Sequence, residues 1–329
     1  MMPPMRSTIW GPAALALAFS LTAGCGKEVG DDTPGVTDDG SVTEMPDAFV
    51  PPSGYTRLIG RTWTLPTGAH DIYKCVRVTI NEDMYITNIM AQAPTGTHHT
   101  VLSIAGANGT SGPDGEQDCN VGTLGMEMLY ASGVGTSPLD FPDGVGIKVS
   151  KGQQIHLNLH LYNASDEGIS GESAIFVKAQ STPPPTLAEM IFAGRINFSV
   201  PANPIEDPMR QYPVTGGCDV QTPYTLFAVW PHMHKLAVHQ KVELLRGDEE
   251  PMILHDKDYT FLEQSYYLKS PEVQVQAGDK IQVTCDYVNT TGHLVTFGDS
   301  SDQEMCFAGL YRYPAQNAGL FQCTDIPQF

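Results

Sequence analysis

Beyond residue 53, apolar positions mostly alternate with polar ones. In "KGQQIHLNLHLYN", Ile155, Leu157, Leu159 and Leu161 fall on one side and His156, Asn158, His160 and Tyr162 on the other, the period of a half-buried strand. Helix-period runs are few, and glycine and proline interrupt the alternating stretches at short intervals, so the pattern predicts an all-β chain. A faint echo runs through it. "VSKGQQIHLNLHLYNAS" from Val149 resembles "VQAGDKIQVTCDYVNTT" from Val275 in its turn glycine, its alternation and its closing Tyr and Asn, as two similar sandwiches in tandem would produce. The stretch "STPPPT", residues 181–186, breaks the pattern and divides the remainder into blocks 53–180 and 187–329. Ahead of them, "GKEVGDDTPGVTDDGSVTEMPDAFVPP" is acidic and almost free of large apolar groups. It cannot bury enough surface to fold, and residues 25–52 are expected to be a tether.

Composition narrows the partners. The 329 residues carry 37 Asp+Glu against 18 Lys+Arg, a formal charge of −19, which excludes nucleic acid, since phosphate recognition needs clustered basic residues. An apolar share of 41% supports real cores, and 32 Gly with 25 Pro agree with a turn-rich β architecture.

The first 24 residues have the form of an export signal: Arg6 provides the positive end and "IWGPAALALAFSLTAG" a short apolar core. "LTAGCG" resembles a bacterial lipoprotein processing site that would lipidate Cys25, although Leu21 stands one place further from the cysteine than usual, with Thr22 between. An ordinary cleaved signal with a leftover cysteine is the plainer alternative. The apolar run is too short and interrupted for a membrane span. The expectation is a protein of the bacterial cell envelope, facing the periplasm or the cell surface and held to the membrane by a lipid anchor only. Cys75, Cys119, Cys218, Cys285, Cys306 and Cys323 remain. An even number in an oxidising compartment implies disulfides, with the pairing left open, and none has CxxC spacing.

The candidate chemistry lies in the histidines. "WPHMHKLA" holds His232 and His234 two apart, on one face of a strand. "TGTHHTVLSIAG" holds adjacent His98 and His99, which can share a ligand only if the strand bulges there. "LNLHLYN" presents His160, with His156 on the same face, and "GDSSDQEMCFAGLYRYP" places Met305 beside Cys306. Taken singly, a solvated strand face, a polar edge or a core methionine would explain each. His70, His156, His239, His255 and His293 are read as ordinary polar histidines. Imidazoles with one thioether suit copper; zinc rarely takes methionine, and no EF-hand loop serves calcium. A blue-copper site would need a thiolate, but Cys306 is expected in a disulfide. The sequence contains no G-x-S-x-G elbow, no HExxH and no credible Ser-His-Asp order.

In this order, over about residues 55–320, the segments "HHTVLSIAG", "LNLHLYN", "PHMHKLA" and "CDYVNTTGHLVTFGDSSDQEMCFAGLYRYP" resemble the copper type II, ascorbate-dependent monooxygenases, the family of the dopamine β-monooxygenases and peptidylglycine α-hydroxylating monooxygenases. The resemblance implies two jelly-roll β-sandwich domains, each carrying one copper beside an open cleft, hence two coppers per chain. Carried over by motif, His98, His99 and His160 would hold the electron-transfer copper, and His232, His234 and Met305 the oxygen-binding copper. It also selects His160 over His156 and implies the pairs Cys75–Cys119, Cys218–Cys323 and Cys285–Cys306. The activity implied is hydroxylation of a C–H bond, with O2, a small-molecule substrate and ascorbate or another small reductant as partners. Two departures bear on substrate. Trp230 stands where peptide-hydroxylating members carry an arginine, and Phe307 and Gly309 replace their Asn and Tyr. An anionic peptide is therefore a poor expectation, and Trp230 and Phe307 would line a pocket for an apolar or aromatic molecule. The alternatives are a non-enzymatic copper-binding or electron-transfer lipoprotein on the same scaffold, and a structural β-sandwich with incidental histidines.

Overall fold

The computed structural model describes residues 49–105, 112–120, 126–133, 135–261 and 264–325. The expected signal segment 1–24, Cys25 and most of the tether lie outside these residues. Among the described residues every regular element is a strand, so none forms a helix long and apolar enough to cross a membrane.

Residues up to Leu187 build two sheets. In one, Gly115–Asp118, Ile72–Thr79, Gln154–Leu161, Thr97–Ala105 and Met126–Gly133 lie side by side in that order; in the other, Thr56–Leu65, Ile169–Gln180, Met84–Gln92 and Val145–Val149 do the same. Ile155, Leu157, Leu159 and Leu161 point into the core the two sheets share. The opposite face of that strand is polar, as its alternation predicts, yet it too is buried. The Cys75–Cys119 disulfide closes over it, and Asn158 Nδ2 donates to the carbonyl of Asn120 at 3.1 Å.

His156 bears the consequence. It is 2% exposed, neither ring nitrogen is hydrogen-bonded among the described residues, and burial, with the nearby Arg77 charge, lowers it to about 4. The folded chain keeps it neutral down to that pH, whereas the unfolded chain takes up the proton near 6.5. Its stabilising contribution is therefore complete above about pH 6.5 and is lost as pH falls toward 4. His156→Gln is expected to flatten the loss of Tm over that range, by a slope of up to one proton, about 1.4 kcal/mol per pH unit. An unchanged slope in thermal melts would refute this.

Residues from Glu189 onward build two further four-stranded sheets. Glu189–Arg195, Cys306–Tyr313, Tyr224–His232 and Tyr267–Val275 form one; Tyr212–Asp219, Lys280–Tyr287, Ala237–Leu245 and Met252–Asp258 form the other. The echo in the sequence corresponds to matching local devices. Gly152 (φ +85°) donates to Ile80 O at 2.7 Å, and Gly278 (φ +92°) to Val220 O at 2.8 Å. Beyond each strand an asparagine ties the following loop: Asn163 Nδ2 bonds Pro66 O and Glu167 O, and Asn289 Nδ2 bonds Val200 O and His293 O. An open turn with positive φ needs glycine, and an Asx turn needs a short amide, so both halves retain these residues where little else agrees.

The sheet containing Tyr224–His232 is buried on both faces. Ile191, Val229 and Leu310 enter the core shared with its partner sheet, while Phe192, Trp230, Phe307 and Tyr311 pack into the core of the first half. Its strands accordingly read as near-continuous apolar runs, "TLFAVW" and "CFAGLY". Disulfides join Cys218 to Cys323 and Cys285 to Cys306.

Candidate metal centre

His98 and His99 sit near the start of the strand Thr97–Ala105, and His160 near the end of the adjacent strand, directly opposite His99. The pairing shifts register between Thr97 and His99. That irregularity turns two adjacent side chains toward one point, which a regular strand would send apart. His98 Nδ1 and His99 Nδ1 lie 3.1 Å apart, and His160 Nδ1 is 3.4 Å from His99 Nδ1. One ring nitrogen from each of the three lies within 4.8 Å of the others, and no other set of three His, Cys, Asp or Glu converges so among the described residues.

The cluster is built for neutral imidazoles. Burial, then His160, lowers His98 to about 4; burial, with His160 and His98, lowers His99 well below the ordinary value. Burial also lowers His160, against the opposing pull of Asp71. Asp71 holds His160 Nε2 at 2.8 Å, and Tyr73 stacks on the same ring at 4.6 Å with planes 3° apart. A carboxylate on the far nitrogen fixes ring orientation and leaves Nδ1 to ligate. Asp71 adopts φ +50°, a conformation unusual for a residue with a side chain.

His232 ends the strand Tyr224–His232 and His234 follows in the turn. Met233 between them is fully buried in the opposite core, locked by Tyr259, whose hydroxyl donates to Met233 O at 2.7 Å and accepts its N–H at 3.2 Å. The middle residue thus faces inward while the histidines face the other way, with ring centroids 5.4 Å apart. Gln264 Oε1 lies 3.2 Å from His232 Nδ1 and Gln303 O lies 3.0 Å from His234 Nδ1. These acceptors favour a proton on Nδ1 of both rings, and the Ser300 backbone is a further hydrogen-bond partner of His234. Burial is the leading cause that lowers His232 to about 3 and His234 to about 4. The antiparallel register pairs His232 with Phe307, and His234 meets the two residues that precede Met305 in the chain, Gln303 through its Nδ1 and Glu304 through its amide. Glu304 secures the arrangement: its carboxylate accepts His234 N–H at 3.0 Å and Leu236 N–H at 2.7 Å.

Trp230 and Phe307 do not take the places expected for them. Each is 2% exposed within the core, because the second face of their sheet packs against the first half. Trp230 instead stacks behind His232, 4.8 Å away with planes 17° apart. The aromatic ring between the two histidine groups is Phe261, 4.4 Å from His98 and 6.1 Å from His234. Nothing in the local sequence distinguishes Phe261, and Asp71, Tyr73, Gln264 and Tyr259 were equally silent. Gln303 and Glu304 lie within "GDSSDQEMCFAGLYRYP", next to Met305. His239 occupies the counterpart of the His99 position, after a similar register shift and opposite Asp286, yet its nitrogens lie against Asp256 (2.9 Å) and Asp286 (3.5 Å). His70 packs at a tilt against Tyr162, and His255 likewise against Tyr267.

Neutral imidazoles with oriented far nitrogens fit a borderline metal such as copper. The fold and site define an all-β protein with one converging three-histidine cluster and a second His-x-His pair. Residues 192–326 match the family model "Copper type II ascorbate-dependent monooxygenase, C-terminal domain", so this part of the chain is similar to the C-terminal domain of that copper-dependent family. It is similar to "Putative DBH-like monooxygenase protein 2" of Homo sapiens, 26% identical over 253 residues, which cover 70% of this chain and 49% of that protein. The chain thus spans about half the length of that relative. Among solved structures, the major capsid protein P2 of bacteriophage PM2 aligns with a TM-score of 0.34 and 8% identity, over 79% of this chain and 100% of that one. An infectious bursal disease virus structure (Gx strain) aligns with a TM-score of 0.20 and 10% identity, over 82% and 76%. Likeness at that level carries no weight for fold or function.

Proposed function

We propose that this chain is a copper- and O2-dependent monooxygenase that hydroxylates a C–H bond of a small apolar or aromatic substrate, drawing electrons from ascorbate or another small reductant. The observation that carries the reading is the convergence of His98, His99 and His160, with ring nitrogens within 4.8 Å of one another. His98, His99 and His160 would hold an electron-transfer copper, and His232, His234 and Met305 an oxygen-binding copper. Blocks 53–180 and 187–329 would be tandem jelly rolls, exported by residues 1–24 and anchored through Cys25. Copper bound at such sites supplies one-electron exchange and activation of O2. The chain's own part is to keep five imidazoles neutral, to aim Nδ1 of one group and Nε2 of the other, and to set an apolar wall between them.

That wall is Phe261. A buried aromatic contact is worth about 1.5–3 kcal/mol, so Phe261→Ala is expected to raise KM for an apolar substrate by about tenfold or more. Steady-state kinetics on the substrate found by screening would check this; an unchanged KM would remove Phe261 from the substrate's surroundings.

The ring also favours a second reading, a non-enzymatic copper-binding or electron-transfer lipoprotein, since it occupies space a substrate would need. Copper content and reductant-dependent O2 uptake coupled to a hydroxylated product separate the two. The enzyme reading expects one copper at each site, the first lost in His160→Ala and the second in Met305→Ala, with coupled product. Both coppers without any product across an apolar and aromatic amine screen would favour the second reading; no copper would sink both.

A further inference from the structure

Behind His232 the aromatic residues form a continuous row. Trp230 stacks on His232 at 4.8 Å, and Tyr266 lies next, 6.3 Å from Trp230 with planes 25° apart. Tyr311 is 5.5 Å from Tyr266, and their hydroxyl oxygens are 3.5 Å apart. Phe227 then bridges Tyr311 (5.9 Å) to Tyr313 (6.1 Å), two residues further along the same strand and on the same face. Trp230, Tyr266 and Tyr311 are buried, and Tyr313 is part-exposed.

The hydroxyl partners differ along the row. Tyr266 donates to Ala131 O and Tyr311 to Leu129 O, carbonyls that cannot keep a proton. The indole N–H of Trp230 has no partner. Tyr313 donates to the carboxylate of Glu272, which can. Oxidation of a phenol is lasting only where its proton has somewhere to go, so the end of the row at the surface is its resting place.

We propose that Trp230, Tyr266, Tyr311 and Tyr313 form a relay that carries an oxidising equivalent from the His232–His234–Met305 site to the protein surface. It rests on the copper reading of that site. When O2 is reduced there with no substrate bound, a one-electron deficit is left at the site. Trp230 fills it with one electron and is refilled by Tyr266, Tyr266 by Tyr311, and Tyr311 by Tyr313. Tyr313 loses its hydroxyl proton to Glu272, leaving a neutral tyrosyl radical and a protonated carboxyl. A small one-electron reductant in solution, of the enediol class the family draws on, returns the electron, and Glu272 returns the proton. The relay protects His232 and its neighbours from oxidation during unproductive turnover.

The test compares the full-length chain with Tyr266→Phe and Tyr313→Phe, substitutions that keep each ring. Copper-loaded, reduced protein is mixed with O2 without substrate, freeze-quenched and examined by electron paramagnetic resonance, and its oxidised residues are mapped by mass spectrometry. The wild type is expected to show a tyrosyl radical that Tyr313→Phe removes, and both variants to gain oxidation at His232 and Trp230. The same radical and the same damage in all three would overturn the relay. A metal-free arm separates this from failure of the copper reading. After laser photoionisation of tryptophan, the indole radical should convert to a tyrosyl radical faster in the wild type than in Tyr266→Phe. Equal conversion overturns the relay whatever the metal. Faster conversion with no Cu(II) signal altered by Met305→Ala upholds electron transfer along the row and overturns the copper reading.

Discussion

Glu304→Ala is expected to abolish copper binding at His232, His234 and Met305 while leaving the His98–His99–His160 cluster able to load. The carboxylate is fully buried and accepts the amides of His234 and Leu236, with the Met305 amide a third backbone partner, so removing it takes away the acceptor of these N–H groups. Each such group costs about 1–3 kcal/mol, and opening the turn to rehydrate them would carry His234 away from Met305. Burial raises Glu304 to about 7, against the lowering effect of those amides. Glu304→Gln keeps one acceptor oxygen and should fall between the wild type and Glu304→Ala. Copper titration, with the spectrum of each bound ion, distinguishes the sites. Equal loss at both, or at neither, would show that Glu304 does not position this pair.

The second large effect concerns stability. Removing the Cys218–Cys323 bridge by the double change Cys218→Ser and Cys323→Ser is expected to lower unfolding free energy by about 4–5 kcal/mol, because the bond spans 105 residues of sequence and restricts the unfolded chain most. The native contacts it fastens are also few. Cys323 lies against Ala193 as an isolated bridge, Gly194 N–H bonds Cys323 O, and Asp325 accepts the amides of Ile196 and Asn197. Loss of the bond should therefore expose the segment around residues 318–325 to proteolysis before global unfolding. The Cys285–Cys306 bridge spans 21 residues and its removal should cost less, about 3 kcal/mol. Urea titrations that rank the two bridges in the opposite order would refute the loop-length account.

How much of this was legible in advance depends on the range of the interaction concerned. Alternation in "IHLNLHL" is local, and it placed Leu157 and Leu159 in a core and His160 on the other face without reference to any partner strand. The same spacing put His232 and His234 on one side and Met233 on the other. Local pattern could not say that the polar face would also be covered. His156, read as an ordinary polar histidine, is buried with no hydrogen bond among the described residues. Nor could it say that the sheet of Trp230 and Phe307 would be buried on both faces, which removed them from the pocket expected to hold them.

What the sequence determined by itself is the β class and which donor atoms are near one another along a strand, since both follow from a two-residue period. How the rings of His160, His232 and His234 are oriented was decided by the tertiary structure, through Asp71, Gln264 and Gln303, residues 32 to 89 positions away from the histidines they touch. The same holds for Phe261, which meets His98 across 163 residues of chain and His234 across 27. Contacts at such separations are set by how sheets pack and register, and a linear pattern carries no term for them.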